Sequence, residues 1–179
     1  MNELAAVEAL AASIPTTPWF IRVGRALSDA DRADLAGYVA ALDLEAGPVE
    51  PVATWKDASR VAADPDWDRR WWQAEAREQV RLQAWAEERH GPEATLSALT
   101  HVTEAALDPT RAAAEAAANK EERNEALSRV AAGAAAQACH LAALALAAGK
   151  PAHGFVIKHR IFAAGRWPLG RLRERWYLF

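Results

Sequence analysis

Between Val130 and Gly149 the chain runs for twenty residues without a charged side chain, and more than half of them are alanine. Alanine loses no side-chain entropy in a helix, so the run reads as helical. With no charge on any side, such a helix must be surrounded. A bilayer could surround it, because the length is about that of a membrane span. Alanine is a weak membrane residue, however, and Gln137 and His140 interrupt the run. It is therefore read as the buried central helix of a protein interior. Small residues let neighbouring helices approach closely, and eight tryptophans supply the missing bulk. The expected fold is mainly α, a compact helical bundle around this Ala-rich central helix.

Punctuation divides the rest of the chain. Residues 2–13 read as a short helix ended by Ser13 and Pro15. Ser28 followed by Asp31 is an N-cap with an acid at the third helical position, and Leu35, Tyr38, Val39 and Leu42 follow at helical spacing. A brief helix is expected near 55–63, a long one near 67–89 with Asp66 as its cap, and another over 93–107. Asp108-Pro109 restarts the chain with proline at a first helical position. The helical stretch 110–148 would span nearly 60 Å at ~1.5 Å per residue, so a break is expected at the polar run 119–124. Residues 153–164 suggest a short basic helix. Short β segments are possible near residues 19–23, 49–55 and 174–179, where β-branched and aromatic residues sit between Gly or Pro signals.

Charge splits the chain in two. Residues 1–149 form an acidic helical body with 14 Lys/Arg and 23 Asp/Glu. Residues 150–179 carry seven Lys/Arg and one acid, Glu174. The basic aromatic C-terminal appendage is expected to pack on the same domain, against the acidic body, rather than to await an anionic partner. The first residues show no positive n-region and no long apolar run, and Cys139 is the single cysteine. These features are read as a cytoplasmic protein with no secretory leader, no disulfide and no cysteine-rich zinc site.

Three groups of residues could carry chemistry. On the long helix, Trp67, Trp71, Ala74, Leu82 and Trp85 share one arc with Glu78 near its middle. A carboxylate among tryptophans needs a partner, so Glu78 is either a functional group in a Trp-lined pocket or paired with an arginine such as Arg22, Arg25 or Arg60. Gln137 and His140 of the central helix could complete that pocket. Cys139 and His140 point about 100° apart and do not converge. Glu87-x-x-His90 and His101-x-x-Glu104 have metal-like spacing, but both are expected to face water, the second beside an apolar arc of Leu96, Leu99, Thr103 and Leu107. In the tail, Arg160, Arg166, Trp167, Arg171, Arg173 and Trp176 combine the residue types enriched at binding hot spots, with Arg166-Trp167 in a Gly/Pro turn as the favoured anchor. Strand alternation offers another account of Arg171-Leu172-Arg173, an exposed basic edge with Leu172 inward.

No phosphate-binding loop, dinucleotide fingerprint, nucleophile elbow or zinc-protease motif occurs. No catalytic residue, metal or cofactor is assigned. The expectation is a non-enzymatic protein–protein interaction module: a partner subunit, an adaptor, or an inhibitor or immunity-type protein. The first alternative is a small-molecule-binding or catalytic bundle using Glu78. The second is nucleic-acid binding by the tail, whose cations could meet phosphates while its rings stack on bases. No membrane partner is expected, and a homo-oligomer is possible.

Overall fold

Helices dominate the computed structural model, which describes residues 2–119 and 125–179. In chain order the elements are α1 (Glu3–Ser13), a 3₁₀ turn (Ile14–Thr16), α2 (Asp29–Ala41), β1 (Val49–Pro51), α3 (Trp55–Ala62), α4 (Arg69–His90), α5 (Pro92–Ala118), α6 (Glu125–Ala147), α7 (Gly154–Ala163), β2 (Pro168–Leu172) and β3 (Arg175–Leu178).

The local chemistry of the caps sets the helix starts. Ser28 accepts from the Asp31 N–H while Asp31 Oδ2 accepts from the Ser28 N–H, a reciprocal capping box. Thr54 caps α3 through the Asp57 N–H. Asp68, not Asp66, caps α4 by accepting from Arg70 N. His153 caps α7 with a ring nitrogen accepting from Phe155 N.

α5 and α6 pack along each other as the most extensive helix pair, and α1, α4 and α7 also rest on α6. Among the described residues α6 is the helix long and apolar enough to cross a membrane, and two thirds of its most apolar stretch is buried within the protein. Burial is not uniform along it. Ala138, Cys139 and Leu141–Ala145 are interior, whereas Val130, Gly133 and Gln137 are exposed. The central helix thus has a solvent-facing stripe in its first half that its composition did not foretell.

Proline does not restart the chain at residue 109. α5 runs from Pro92 through Pro109 to Ala118. The cost of a proline inside a helix is outweighed here by packing along the length of α6. The break expected at 119–124 lies almost wholly outside the described residues. On α5 the interior face is Leu99, Val102 and Ala106, while Leu96 and Leu107 are exposed, so the expected arc is rotated.

The sheet is small, with order β1-β3-β2. β1 runs parallel to β3, pairing Val49 with Trp176, and β2 runs antiparallel, pairing Arg171 with Trp176. A two-residue turn joins β2 to β3, with Arg173 and Glu174 both at positive φ. Only 49–51 of the segment 49–55 is strand, because Trp55 opens α3. Residues 19–23 form successive turns rather than a strand, and Phe20 sits at φ 58°. Their backbone is satisfied from elsewhere in the fold: Arg22 N donates to Gly165 O, and Arg22 O accepts from Arg166.

Candidate functional site

A cavity of about 440 Å³ opens between α4, α6 and the C-terminal segment. That size falls in the range of small-molecule sites, roughly 300–1,000 Å³. α4 contributes Trp71, Trp72, Glu75, Ala76 and Gln79. α6 contributes Val130, Ala134, Gln137 and Leu141. Lys158 and Phe162 of α7 and the segment Trp167–Leu169 close it.

The α4 wall follows from helical spacing. At 100° per residue Trp71, Glu75, Leu82 and Ala86 lie within about 60° of arc, and this is the face that turns inward. Trp71, Leu82 and Ala86 are buried and Glu75 is half-buried. Trp71 is fixed from both sides. Its indole Nε1 donates to the Tyr38 hydroxyl at 2.6 Å. Gly170 lies against its ring, so that a Cβ at this position would stand 2.2 Å from the indole, and the backbone there is at φ 131°. Only glycine fits this approach. Trp72 is 49% exposed at the mouth of the cavity. Its ring is 6.0 Å from that of Trp71, tilted by 34°, and Trp67 lies 6.4 Å from both.

A charged pair forms the floor. Lys158 Nζ donates to Glu75 Oε1 at 2.6 Å, and the Tyr38 hydroxyl donates to the same oxygen at 2.5 Å. Lys158 also lies 5.6 Å from the Trp71 ring and 5.8 Å from the Tyr38 ring, within cation–π reach. Its side chain is only 7% exposed. Burial, and secondarily the Glu75 charge, push the Tyr38 hydroxyl well above its usual range, so it remains a proton donor. Among the described residues, both hydrogen bonds to Glu75 go to Oε1 and none to Oε2.

The sequence candidates divide around this cavity. Trp71 and Gln137 line it, and Trp67 supports it from behind. Glu78 does not belong to it. Arg81 of the same helix donates to Glu78 Oε2 at 2.5 Å and His153 lies 3.1 Å from that oxygen, so its partners are neither Arg22, Arg25 nor Arg60. Trp85 lies towards the far end of α4, between Arg81 and Lys150, which stand 5.0 and 4.7 Å from its ring. His140 faces α5, 3.2 Å from the Thr103 hydroxyl, and burial lowers its pKa. Reading the wheel around Glu78 overlooked Glu75; the Trp71–Glu75–Leu82–Ala86 stripe was the available signal.

The tail candidates are mostly interior. Arg166 is 1% exposed, Trp167 3%, Arg171 2% and Trp176 1%, which removes the Arg166-Trp167 turn as a surface anchor. Arg166 donates to the carbonyls of Arg22, Arg25 and Ala26 and to Asp31 Oδ2. Burial raises the Asp31 carboxyl, but its Ser28 hydrogen bonds and the Arg166 charge outweigh that and hold it below the usual value. Arg171 pairs with Asp68 and lies on a fully buried strand, so β2 is no exposed basic edge. Arg160 and Arg173 are exposed, yet they meet Asp34 and Asp64/Asp66, and Arg175 meets Glu50.

Cys139 is buried, and burial pushes its thiol up to about 12, far from a reactive thiolate. Among the described residues no three His, Cys, Asp or Glu side chains gather closely enough to hold a metal ion. Compared with protein-family models, with curated proteins and with solved structures, the chain finds no match.

Proposed function

We propose that this chain is a non-enzymatic binding protein that holds a small molecule in the cleft between α4 and α6. One observation carries the reading: the ion pair Glu75–Lys158 stands in the wall of a cavity of about 440 Å³, beside the half-exposed ring of Trp72. A few polar groups set against an aromatic wall in a cavity of this size are the pattern of a ligand site. The polar groups facing the cavity are Glu75, Lys158, Gln79 and Gln137, which suit binding through hydrogen bonds beside an aromatic wall.

A second reading, a partner polypeptide, is favoured by the apolar rim. Trp72 and Val130, which line the cavity from the two flanking helices, are exposed by 49% and 57%. Exposed tryptophan at a cleft is a typical hot-spot residue. The basic tail supports neither this reading nor nucleic-acid binding, because its cations already face carboxylates or rings of the body.

Native mass spectrometry of protein purified at low salt from its own host separates these readings. A small added mass that disappears in Trp72→Ala supports the ligand site. A second polypeptide lost with the same substitution supports the partner reading. A bare chain counts against both.

A further inference from the structure

We infer that the ligand of this cleft is a neutral, polyhydroxylated ring of the monosaccharide class. The inference rests on the small-molecule reading above and narrows it by charge, valence and shape.

Charge excludes ions. Glu75 and Lys158 are the charged residues lining the cavity, and they stand 2.6 Å apart. Their fields largely cancel beyond the pair, so neither a cation nor an anion gains net attraction there. An ammonium ligand would meet Lys158, and a phosphate or carboxylate would meet Glu75.

Valence selects hydroxyls. Glu75 Oε2 can only accept, the remaining N–H groups of Lys158 can only donate, and the amides of Gln79 and Gln137 do both. These groups line one cavity. A hydroxyl donates and accepts from one atom, so adjacent hydroxyls on a ring can serve an acceptor and a donor side by side. An apolar ligand would cover Oε2 without offering it a donor.

Shape selects a single stacking face. Sandwiching a flat heterocycle takes two parallel rings about 7 Å apart, twice the ~3.5 Å contact distance. Trp71 and Trp72 are 6.0 Å apart and inclined by 34°, so no such slot exists between them. Trp72 instead offers a half-exposed face at the mouth. The C–H face of a pyranose packs on one indole while its edge hydroxyls reach polar groups deeper in the site.

The test uses the ¹⁵N-labelled full chain. Indole and glutamine side-chain NMR signals are followed while methyl glycosides of glucose, mannose, galactose and xylose, and myo-inositol, are added one at a time. Adenosine and tetramethylammonium serve as the flat and cationic controls. The expected result is a saturable shift of the Trp72 and Gln137 signals with at least one polyol and with neither control. Binding should weaken roughly tenfold in Trp72→Ala and in Gln137→Ala. Both positions are exposed, so both variants should fold, which far-UV circular dichroism checks. Silence with all the polyols overturns the sugar assignment. A shift with adenosine or tetramethylammonium instead overturns it while leaving the small-molecule reading standing. If a chemically diverse fragment library also fails to move these signals, the small-molecule reading falls as well.

Discussion

Arg166 and Lys158 are both interior cations paired with a carboxylate, yet the two sites are completed differently. Around Arg166, both terminal nitrogens are committed, to three backbone carbonyls and Asp31 Oδ2, and Arg22 and Ser28 add bonds to that same oxygen, while its Nε finds no partner among the described residues. The site fastens the 19–28 turns to the start of β2. Around Lys158, the carboxylate likewise takes both of its donors on one oxygen, but this pair borders a cavity. Similar chemistry therefore serves closure in one place and leaves capacity for a ligand in the other. The contrast shows that burial of charge does not by itself mark a functional site; position beside a cavity is the better sign.

The largest effect is expected at Arg166, whose terminal nitrogens are fully committed. Arg166→Met should destabilise the protein by about 3–5 kcal/mol, because the Arg25 and Ala26 carbonyls lose their donor and Asp31 loses its buried cation. Urea unfolding measures this, and a loss below about 1 kcal/mol would break the comparison. The Asp31 contribution has a defined pH window. Since its folded pKa is depressed below 3.8, the stabilisation is present above that value and disappears as pH falls through the folded one.

A second perturbation sharpens the contrast through replaceability. Lys158→Met alone should cost about 3 kcal/mol by stranding Glu75, whereas Glu75→Leu with Lys158→Met should recover most of that loss. The equivalent double change at Asp31 and Arg166 should recover little, since the Arg25 and Ala26 carbonyls stay without their donor. Equal recovery at both sites, read from denaturation midpoints, would erase the distinction.

His159 gives a third and comparable effect. Its Nε2 has no hydrogen-bond partner, and burial pushes its pKa from 6.5 down to about 4. Between those values the unfolded chain binds a proton that the folded chain does not. Stability should therefore fall as pH drops through that window, by roughly 3 kcal/mol at most. His159→Phe should flatten the slope in urea titrations at neutral pH and at about pH 5.

Smaller changes are expected at the edge of the cavity. Tyr38→Phe removes the hydroxyl that links Trp71 to Glu75 and should cost about 1–2 kcal/mol in thermal unfolding. Trp72→Ala should change stability by no more than about 0.5 kcal/mol while weakening binding, which separates a ligand-facing ring from a packing one.

Much of the helical framework was legible. The Ser28–Asp31 box, the Gly91-Pro92 stop and the Gly149 stop are local chemistry, and each stands where spacing put it. Illegible features depended on distant partners. The 19–23 segment has strand composition, but its Arg22 carbonyl is captured by Arg166, 144 residues away in the chain. Pro109 has the signature of a helix start, but α6 holds α5 continuous across it. Glu78 and Glu75 are separated by less than one helical turn, and only the placement of α7 decides which one meets a lysine.

The sequence by itself determined that the chain would be helical, where most helices begin and end, and that the tail would differ in charge from the body. These properties follow from propensity, capping and composition, which act over a few residues. Tertiary structure alone decided that Arg166 and Trp167 lie inside rather than on the surface, that α6 keeps an exposed stripe, and that Glu75, Lys158 and Trp72 share one cavity. Those outcomes depend on which faces of distant helices meet, and no interaction within a single segment fixes that choice.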